Sequence, residues 1–138
     1  MLKSIKQNAV ALISLVVAVT ALGSSHWRDE VTDQNRNIRQ ASFEILKELS
    51  SLQLIIDYAH YDKDEQKGNP ITGWGHIGLI NDLSTIIPEP TPSRVAKLNE
   101  VWQNEWQKVR DDVESNQKIS EEIKKTRAAV LETIADLI

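Results

Sequence analysis

The sequence predicts an all-α protein in which an N-terminal transmembrane helix leads into a long antiparallel helical hairpin with a short connecting helix. Three observations predict this class. Residues 7–27 carry no formal charge, two later segments repeat apolar residues every seven positions, and neither repeat contains glycine or internal proline. A single phenylalanine and the absence of cysteine argue against a β-sandwich or a disulfide framework.

The uncharged N-terminal stretch is long enough to cross a bilayer. As a helix it would reach about 32 Å, close to the hydrocarbon thickness. Lys3 and Lys6 precede it, and charge resumes at Arg28 behind Trp27, an aromatic residue suited to the headgroup level. We therefore predict a membrane anchor over residues 1–25, with Trp27 and Arg28 at the membrane interface.

A cleaved signal peptide is the alternative to an anchor. The basic leader, the apolar core and the small residues of Ala21-Leu22-Gly23 form the pattern that a signal peptidase reads, with cleavage before Ser24. Both alternatives leave residues 26–138 outside the cytoplasm, because the basic leader stays inside. We predict an uncleaved anchor in the inner membrane, with a cytoplasmic N-terminus and a periplasmic or otherwise extracytoplasmic domain.

Two long helical patterns follow the anchor. Residues 26 to about 62 predict a first helix roughly 55 Å long, and residues 92 to about 137 predict a second of roughly 68 Å, with Thr91 as its N-cap and Pro92 in its first turn. Such heptads are typical of a coiled coil or of half a four-helix bundle, which a second copy or another membrane protein would complete. The heptad positions are Val31, Ile38, Ile45, Leu52 and Ala59, then Val95, Trp102, Val109, Asn116, Ile123, Val130 and Leu137.

An irregular insert, residues 62–92, joins the two patterns. Apolar residues between 77 and 87 predict a short helix that ends before Pro88. Residues 73–78, with the sequence GWGHIG, match the dinucleotide fingerprint in their letters only, because no strand precedes them and no βαβ pattern surrounds them. We expect these glycines to form a sharp turn instead.

Any ligand chemistry is expected in the insert and at the helix end before it, where aromatic, imidazole and carboxylate side chains cluster. Counted from Asp62, a calcium loop needs glycine sixth and glutamate twelfth, but Gly68 is seventh and Gly73 is twelfth. We predict no metal and no cofactor, and keep a small-ligand loop as the alternative function. Its candidate residues are Tyr58, His60, Tyr61, Asp62, Trp74 and His76.

Trp102 and Trp106 lie one helical turn apart on the second pattern. Aromatic pairs at this spacing anchor either a protein core or a subunit interface, and the sequence leaves both open. Asn116 falls in an apolar register, where a polar side chain can fix alignment or oligomeric state. The candidate interface residues are Leu98, Trp102, Trp106, Val109 and Asn116.

Composition and motifs narrow the function class. The chain has 16 Lys and Arg against 20 Asp and Glu and no basic tract, so nucleic acid is not an expected partner. No set of nucleophile, base and oxyanion donors can be assembled, so we expect a protein without catalytic residues. We predict an accessory or structural subunit of a membrane complex, or a homo-oligomer, whose helical domain binds protein.

The layout of anchor, outgoing helix, crossing segment and returning helix resembles the sensing ectodomain of bacterial chemoreceptors and sensor kinases. The resemblance covers residues 7–138 and includes no motif. It implies that the insert senses a small ligand. The sequence shows no second apolar span behind the returning helix, so we expect any signal to pass through a partner.

Overall fold

The computed structural model describes residues 2–137, with side chains from Asn8 onward. The described residues form helices and no β-strand, which confirms the predicted all-α class. Met1, Ile138 and the side chains of residues 2–7, which include both leader lysines, lie outside the described part. The chain divides into two compact units.

The described residues of the first unit, Met1–Arg36, belong to a single helix. This helix, α1, runs from Leu2 to Asp57. Every described side chain of the first unit is exposed except the half-buried Asn35. The most apolar window of 18 residues has a mean hydropathy of 1.8 and buries none of them, so the helix is long and apolar enough to cross a membrane. The predicted anchor boundary between residues 25 and 26 stays a prediction.

The second unit, Asn37–Ile138, contains the end of α1 and, in its described residues, three further helices. A π-helical turn, Tyr58–Asp62, follows α1 and ends at Lys63, whose φ of 52° is left-handed. The three helices that follow are α2, Pro70–Ser84, α3, Thr91–Glu105, and α4, Val113–Asp136.

The structure corrects the prediction of one helix over residues 92–137, because this segment forms α3 and α4. Residues 106–111 form hydrogen-bonded turns, and Asp112 is extended, with φ −109° and ψ 112°. Asp112 then caps α4 by accepting hydrogen bonds from the backbone N–H of Glu114 at 3.4 Å and of Ser115 at 3.1 Å. Thr91, predicted as the cap of α3, is instead a buried residue of the helix itself.

The predicted turn at residues 73–78 is also wrong, because these residues lie inside α2. Asn69 caps the helix by accepting a hydrogen bond from the Ile71 N–H at 3.0 Å, and Pro70 occupies the first turn. Gly73 faces inward, where a Cβ would collide with the Trp102 indole. Glycine at 73 therefore permits close helix packing and is not needed for a turn.

One hydrophobic core lies among the four helical segments of the second unit. The heptad positions of α1 within this unit are all buried, and helices of the same chain cover them. The core consists of Ile38, Ala41, Ile45, Leu49, Leu52, Ile56, Ala59, Ile77, Ile80, Ile87, Val95, Leu98, Trp102, Val109, Ile119, Ile123 and Val130.

Hydrogen bonds hold α4 against the end of α1. Asn116 Nδ2 donates to the Ile56 carbonyl at 3.3 Å, and Arg127 Nη2 donates to Ser50 Oγ at 2.7 Å. Across these bonds, residue numbers fall along α1 as they rise along α4. Asn116 therefore lies at a buried heptad position, and its side-chain amide is hydrogen-bonded to the backbone of α1 in the same chain.

The contact between α3 and α4 contains buried hydroxyl groups. Thr126 and Thr133 each donate to a carbonyl of their own helix, at 2.7 Å and 3.0 Å. Because the Thr133 proton is used in this way, Thr91 donates the 2.9 Å hydrogen bond that joins it to Thr133. Thr126 also lies 3.4 Å from the Arg94 carbonyl of α3. This row of threonines is called the hydroxyl seam.

Two glycines of α2 are expected to respond oppositely to the same substitution. Gly73→Ala should lower the free energy of unfolding by about 1–3 kcal/mol, because the Trp102 ring must move. Gly75→Ala should raise it by about 1 kcal/mol, because alanine favours the helix and a Cβ there meets nothing within 4 Å. Urea unfolding of the full chain in detergent, followed by circular dichroism, measures both. Shifts of equal sign would contradict this packing.

Candidate functional site

The two predicted membrane-interface residues lie on α1 in the first unit. Trp27 and Arg28 are both exposed, Trp27 to 73%. Trp27 lines a shallow groove of about 250 Å³ with Glu30, Val31 and Gln34. The Trp27 ring is therefore free of contacts that would keep it from a lipid headgroup layer.

The predicted interface residues lie in the core of the second unit. Leu98, Trp102, Val109 and Asn116 are all buried, and only Trp106 is partly exposed. The sequence left core and interface open for this set. In this structure their contacts lie within one chain, so none of the four buried residues presents a surface to a partner.

Three tryptophans join α2 to α3. The Trp74 ring stands edge-on to both Trp102 and Trp106, with ring centroids 6.2 Å and 6.0 Å apart. Trp102 is fully buried, and among the described residues its Nε1–H finds no hydrogen-bond acceptor. The cost of that unpaired donor indicates that shape, rather than polar bonding, places this indole.

The six candidate ligand residues do not converge on one site. His60 Nδ1 lies 3.1 Å from the Val109 carbonyl, which can only accept, so this nitrogen carries a proton. His76 Nδ1 lies 2.5 Å from Glu48 Oε2 and links α2 to α1. Trp74 belongs to the tryptophan cluster. Both histidines and this tryptophan thus make structural contacts.

The other three candidates share a hollow at the end of α1. Its volume is about 240 Å³, and Tyr61 on its wall is largely exposed. Lys67 Nζ lies 5.2 Å from the centre of the Tyr58 ring and occupies one face of it. Among the described residues, no group of three His, Cys, Asp or Glu could hold a metal ion. The hollow is lined by Leu54, Asp57, Tyr58, Tyr61 and Asp62.

Sequence reasoning missed a surface on the outer side of α2. Its apolar side chains Ile71, Leu79 and Ile86 are 66%, 40% and 54% exposed. Between them a Cβ on Gly75 or Gly78 would meet nothing within 4 Å. We call this surface the α2 outer face; it consists of Ile71, Gly75, Gly78, Leu79, Asp82 and Ile86.

The α2 outer face is notable because the opposite side of the same helix is already in the core. Ile77 and Ile80 are buried there. Exposed aliphatic side chains opposite a buried helix face are typical of a contact surface, and the described chain covers only the inner side of α2. The sequence did carry a signal for this surface. Ile71 and Leu79 are apolar although they do not share a helix face with the buried Ile77 and Ile80.

A groove between α1 and α2 borders the outer face. Its volume is about 400 Å³. Polar side chains from α1 form one wall and aliphatic side chains from α2 and the turn behind it form the other. Ile86 belongs to both the groove and the outer face. The groove is lined by Asn37, Gln40, Ala41, Glu44, Leu83 and Ile86.

Ser115 holds two carboxylates at the junction of α3 and α4. Its Oγ lies 2.6 Å from Glu105 Oε2 and 2.6 Å from Asp112 Oδ2. The hydrogen bond from Ser115 is the main cause that lowers the pKa of Glu105, and Lys108 adds to it. The same hydroxyl is the main cause that lowers the pKa of Asp112, and because it carries one proton it donates to one of the two carboxylates at a time. The shared donor therefore favours the ionised form of both carboxylates and links the end of α3 to the start of α4.

Comparison with protein-family models, with curated proteins and with solved structures finds no match for this chain. Its function is therefore inferred from its own residues and their surroundings.

The roles of Trp102 and Trp106 can be separated by alanine substitution. Trp102→Ala should lower the free energy of unfolding by about 3–5 kcal/mol, because the indole is fully buried. Trp106→Ala should cost less, because its side chain is partly exposed. Far-ultraviolet circular dichroism during urea unfolding measures both. Retained helicity and stability in Trp102→Ala, with loss of an assembly, would instead mark this residue as an interface anchor.

Acid should weaken the junction of α3 and α4. Since the pKa values of Glu105 and Asp112 are lowered in the folded state, their stabilisation is complete above the unfolded pKa values, near pH 4, and is lost as pH falls through the folded values. Ser115→Ala should raise both pKa values and destabilise the chain at pH 7, but by less below about pH 4.

Urea unfolding between pH 7 and pH 3 measures this dependence. Ser93→Ala, at an exposed position of α3, is the control and should show no such dependence. A destabilisation by Ser115→Ala that stays constant across this range would show that the serine acts without the two carboxylates.

Proposed function

We propose that this chain is a non-catalytic, single-pass membrane protein whose helical domain lies outside the cytoplasm and binds another protein. It would serve as an accessory or structural subunit of a membrane complex or form a homo-oligomer. The observation that carries the binding role is the α2 outer face, an exposed apolar surface on a helix whose other side is in the core.

The membrane location is supported by the apolar part of α1. The described side chains of residues 8–25 are all exposed, so the folded chain gives this segment no protein surroundings. Lys3 and Lys6 lie among the seven residues before the apolar segment, whereas Arg28 is the one basic residue among positions 28–35 behind it, which favours a cytoplasmic N-terminus under the positive-inside rule. An inner membrane location with an extracytoplasmic domain follows from that orientation.

In this proposal the two arms of the predicted antiparallel hairpin are the end of α1 and α4. It is supported by the hydrogen bonds from Asn116 to Ile56 and from Arg127 to Ser50. In this arrangement α2 and α3 complete a bundle within one chain. The binding surface is then the outside of the bundle, not an open core waiting for a second copy.

A small-ligand sensing domain is the second candidate function. The hollow of about 240 Å³ at the end of α1 favours it, because two tyrosines and two aspartates surround an opening of small-molecule size. Three of the six residues predicted for a ligand loop, Tyr58, Tyr61 and Asp62, line that hollow.

Anchoring and orientation can be tested in intact cells. The full chain should stay in the membrane after alkaline carbonate extraction, whereas Leu15→Lys combined with Val16→Lys should release it, because charge in the span is costly. The chain has no cysteine, so in a single-cysteine variant all labelling comes from the introduced residue. Asn104→Cys should react with a membrane-impermeant maleimide before lysis, and Lys3→Cys only after lysis.

A soluble product that lacks the Lys3→Cys label would contradict the anchor and indicate cleavage near Gly23.

Cross-linking in membranes distinguishes the two candidate functions, protein binding and small-ligand sensing. A defined protein complex supports the binding role. A monomer that a small molecule stabilises against heat, with loss of the effect in Tyr61→Ala, supports the sensing role instead.

A further inference from the structure

Two glycines on the α2 outer face have no explanation within the chain. Gly73, on the inner side, is required because a Cβ would meet Trp102. Gly75 and Gly78 face open space, where alanine would fit and would favour the helix. Glycine without an internal steric reason allows a neighbouring backbone to approach closely, which is how small residues serve packed helix pairs.

Charge on this face restricts its partner. Asp82 is exposed and, among the described residues, its carboxylate takes part in no ion pair or hydrogen bond. It is also the only charged residue of the face. Any partner that covers Ile71, Leu79 and Ile86 removes water from Asp82 as well, and a carboxylate buried without a cation is strongly unfavourable.

A second copy of this chain that pairs through the same face does not satisfy that requirement. In a parallel pair of α2 helices, Asp82 faces Asp82. In an antiparallel pair centred between Gly78 and Leu79, Asp82 faces Gly75 of the other copy and is left without a cation. The α2 outer face supplies no lysine or arginine in either direction, so a symmetric pair through this face leaves Asp82 without a cation, and the charge favours a different protein as the partner.

The shape of the face indicates a helix. α2, Pro70–Ser84, is about 22 Å long, or four turns, and Ile86 lies in the turn directly behind it. Its centre is a shallow depression at the two glycines, between aliphatic side chains. A second helix fits such a depression when its own contact residues are apolar, and one face of this size is smaller than a typical stable interface.

We propose that the α2 outer face binds an α-helix of a different membrane-anchored protein, and that this helix presents apolar side chains and one lysine or arginine to Asp82. The inference of this partner rests on the proposed function, because anchoring both proteins in one bilayer supplies the effective concentration that a small interface needs.

Site-specific photo-cross-linking of the full chain in native membranes tests this partner. The photoreactive p-benzoylphenylalanine in place of Ile71 should give a heteromeric adduct, and the same group in place of Asn104, exposed on α3, should give none. In the Ile71 background, Asp82→Lys and Gly78→Leu should each reduce the adduct at least tenfold. Asn104→Leu is the matched control and should leave it unchanged.

The decisive step is a charge exchange. Mass spectrometry of the adduct should locate a helical peptide with a lysine or arginine, and changing that residue to glutamate should restore the adduct to the Asp82→Lys chain. Unchanged helicity and melting of both chains show that the loss is not unfolding. Gly75→Ala is a further check, since it should weaken the adduct while making the domain more stable.

Three results would overturn the proposed partner. They are an adduct of two copies of this chain, an adduct insensitive to Asp82→Lys, and a charge exchange that fails to restore the adduct. Each leaves the proposed binding function standing if membrane cross-linking still yields a defined complex. A chain that gives no adduct from Ile71 and remains a monomer in membranes overturns both proposals.

Discussion

The packing of the Trp102 indole against Gly73 is the contact on which the second unit depends. The indole reaches from α3 to α2 and is fully buried, and the missing Cβ at residue 73 gives it room. Leu52 of α1 lies beside the same glycine, so three helices meet at this point. The unpaired indole N–H shows that the fold accepts a polar cost here to gain a large buried apolar surface.

The sequence was sufficient where one physical signal dominated. The uncharged N-terminal stretch marks a segment apolar enough to span a membrane, because charge is costly in lipid. The all-α class follows from heptads without glycine or internal proline. Positions Ile38, Ile45 and Leu52 are buried as their spacing requires, since one face of α1 meets the core throughout the second unit.

Two features depended on distant contacts that spacing does not reveal. The heptads continue through residues 106–112, yet Asp112 ends the turn there by bonding to the start of α4, and Ser115 adds a second bond to the same carboxylate. Gly73 is helical because Trp102 packs on it, although glycine in sequence favours a turn. Trp74 and His76, predicted as ligand residues, likewise contact side chains of other helices, namely Trp102 and Glu48. The α2 outer face can be recognised only when it is known which side of α2 faces the core.

The hydroxyl seam gives the second unit an uneven resistance to local opening. Thr126 and Thr133 remain bonded to carbonyls of α4 when α3 moves away, so the seam itself adds little to the cost of separating these two helices. Separation of α4 from α1 instead deprives Asn116 of its Ile56 carbonyl and Arg127 of Ser50. α3 is nevertheless held by the buried Val95, Leu98 and Trp102 and by the 2.6 Å hydrogen bond between Ser115 and Glu105, so the apolar core and this junction, rather than the seam, set the cost of moving this helix.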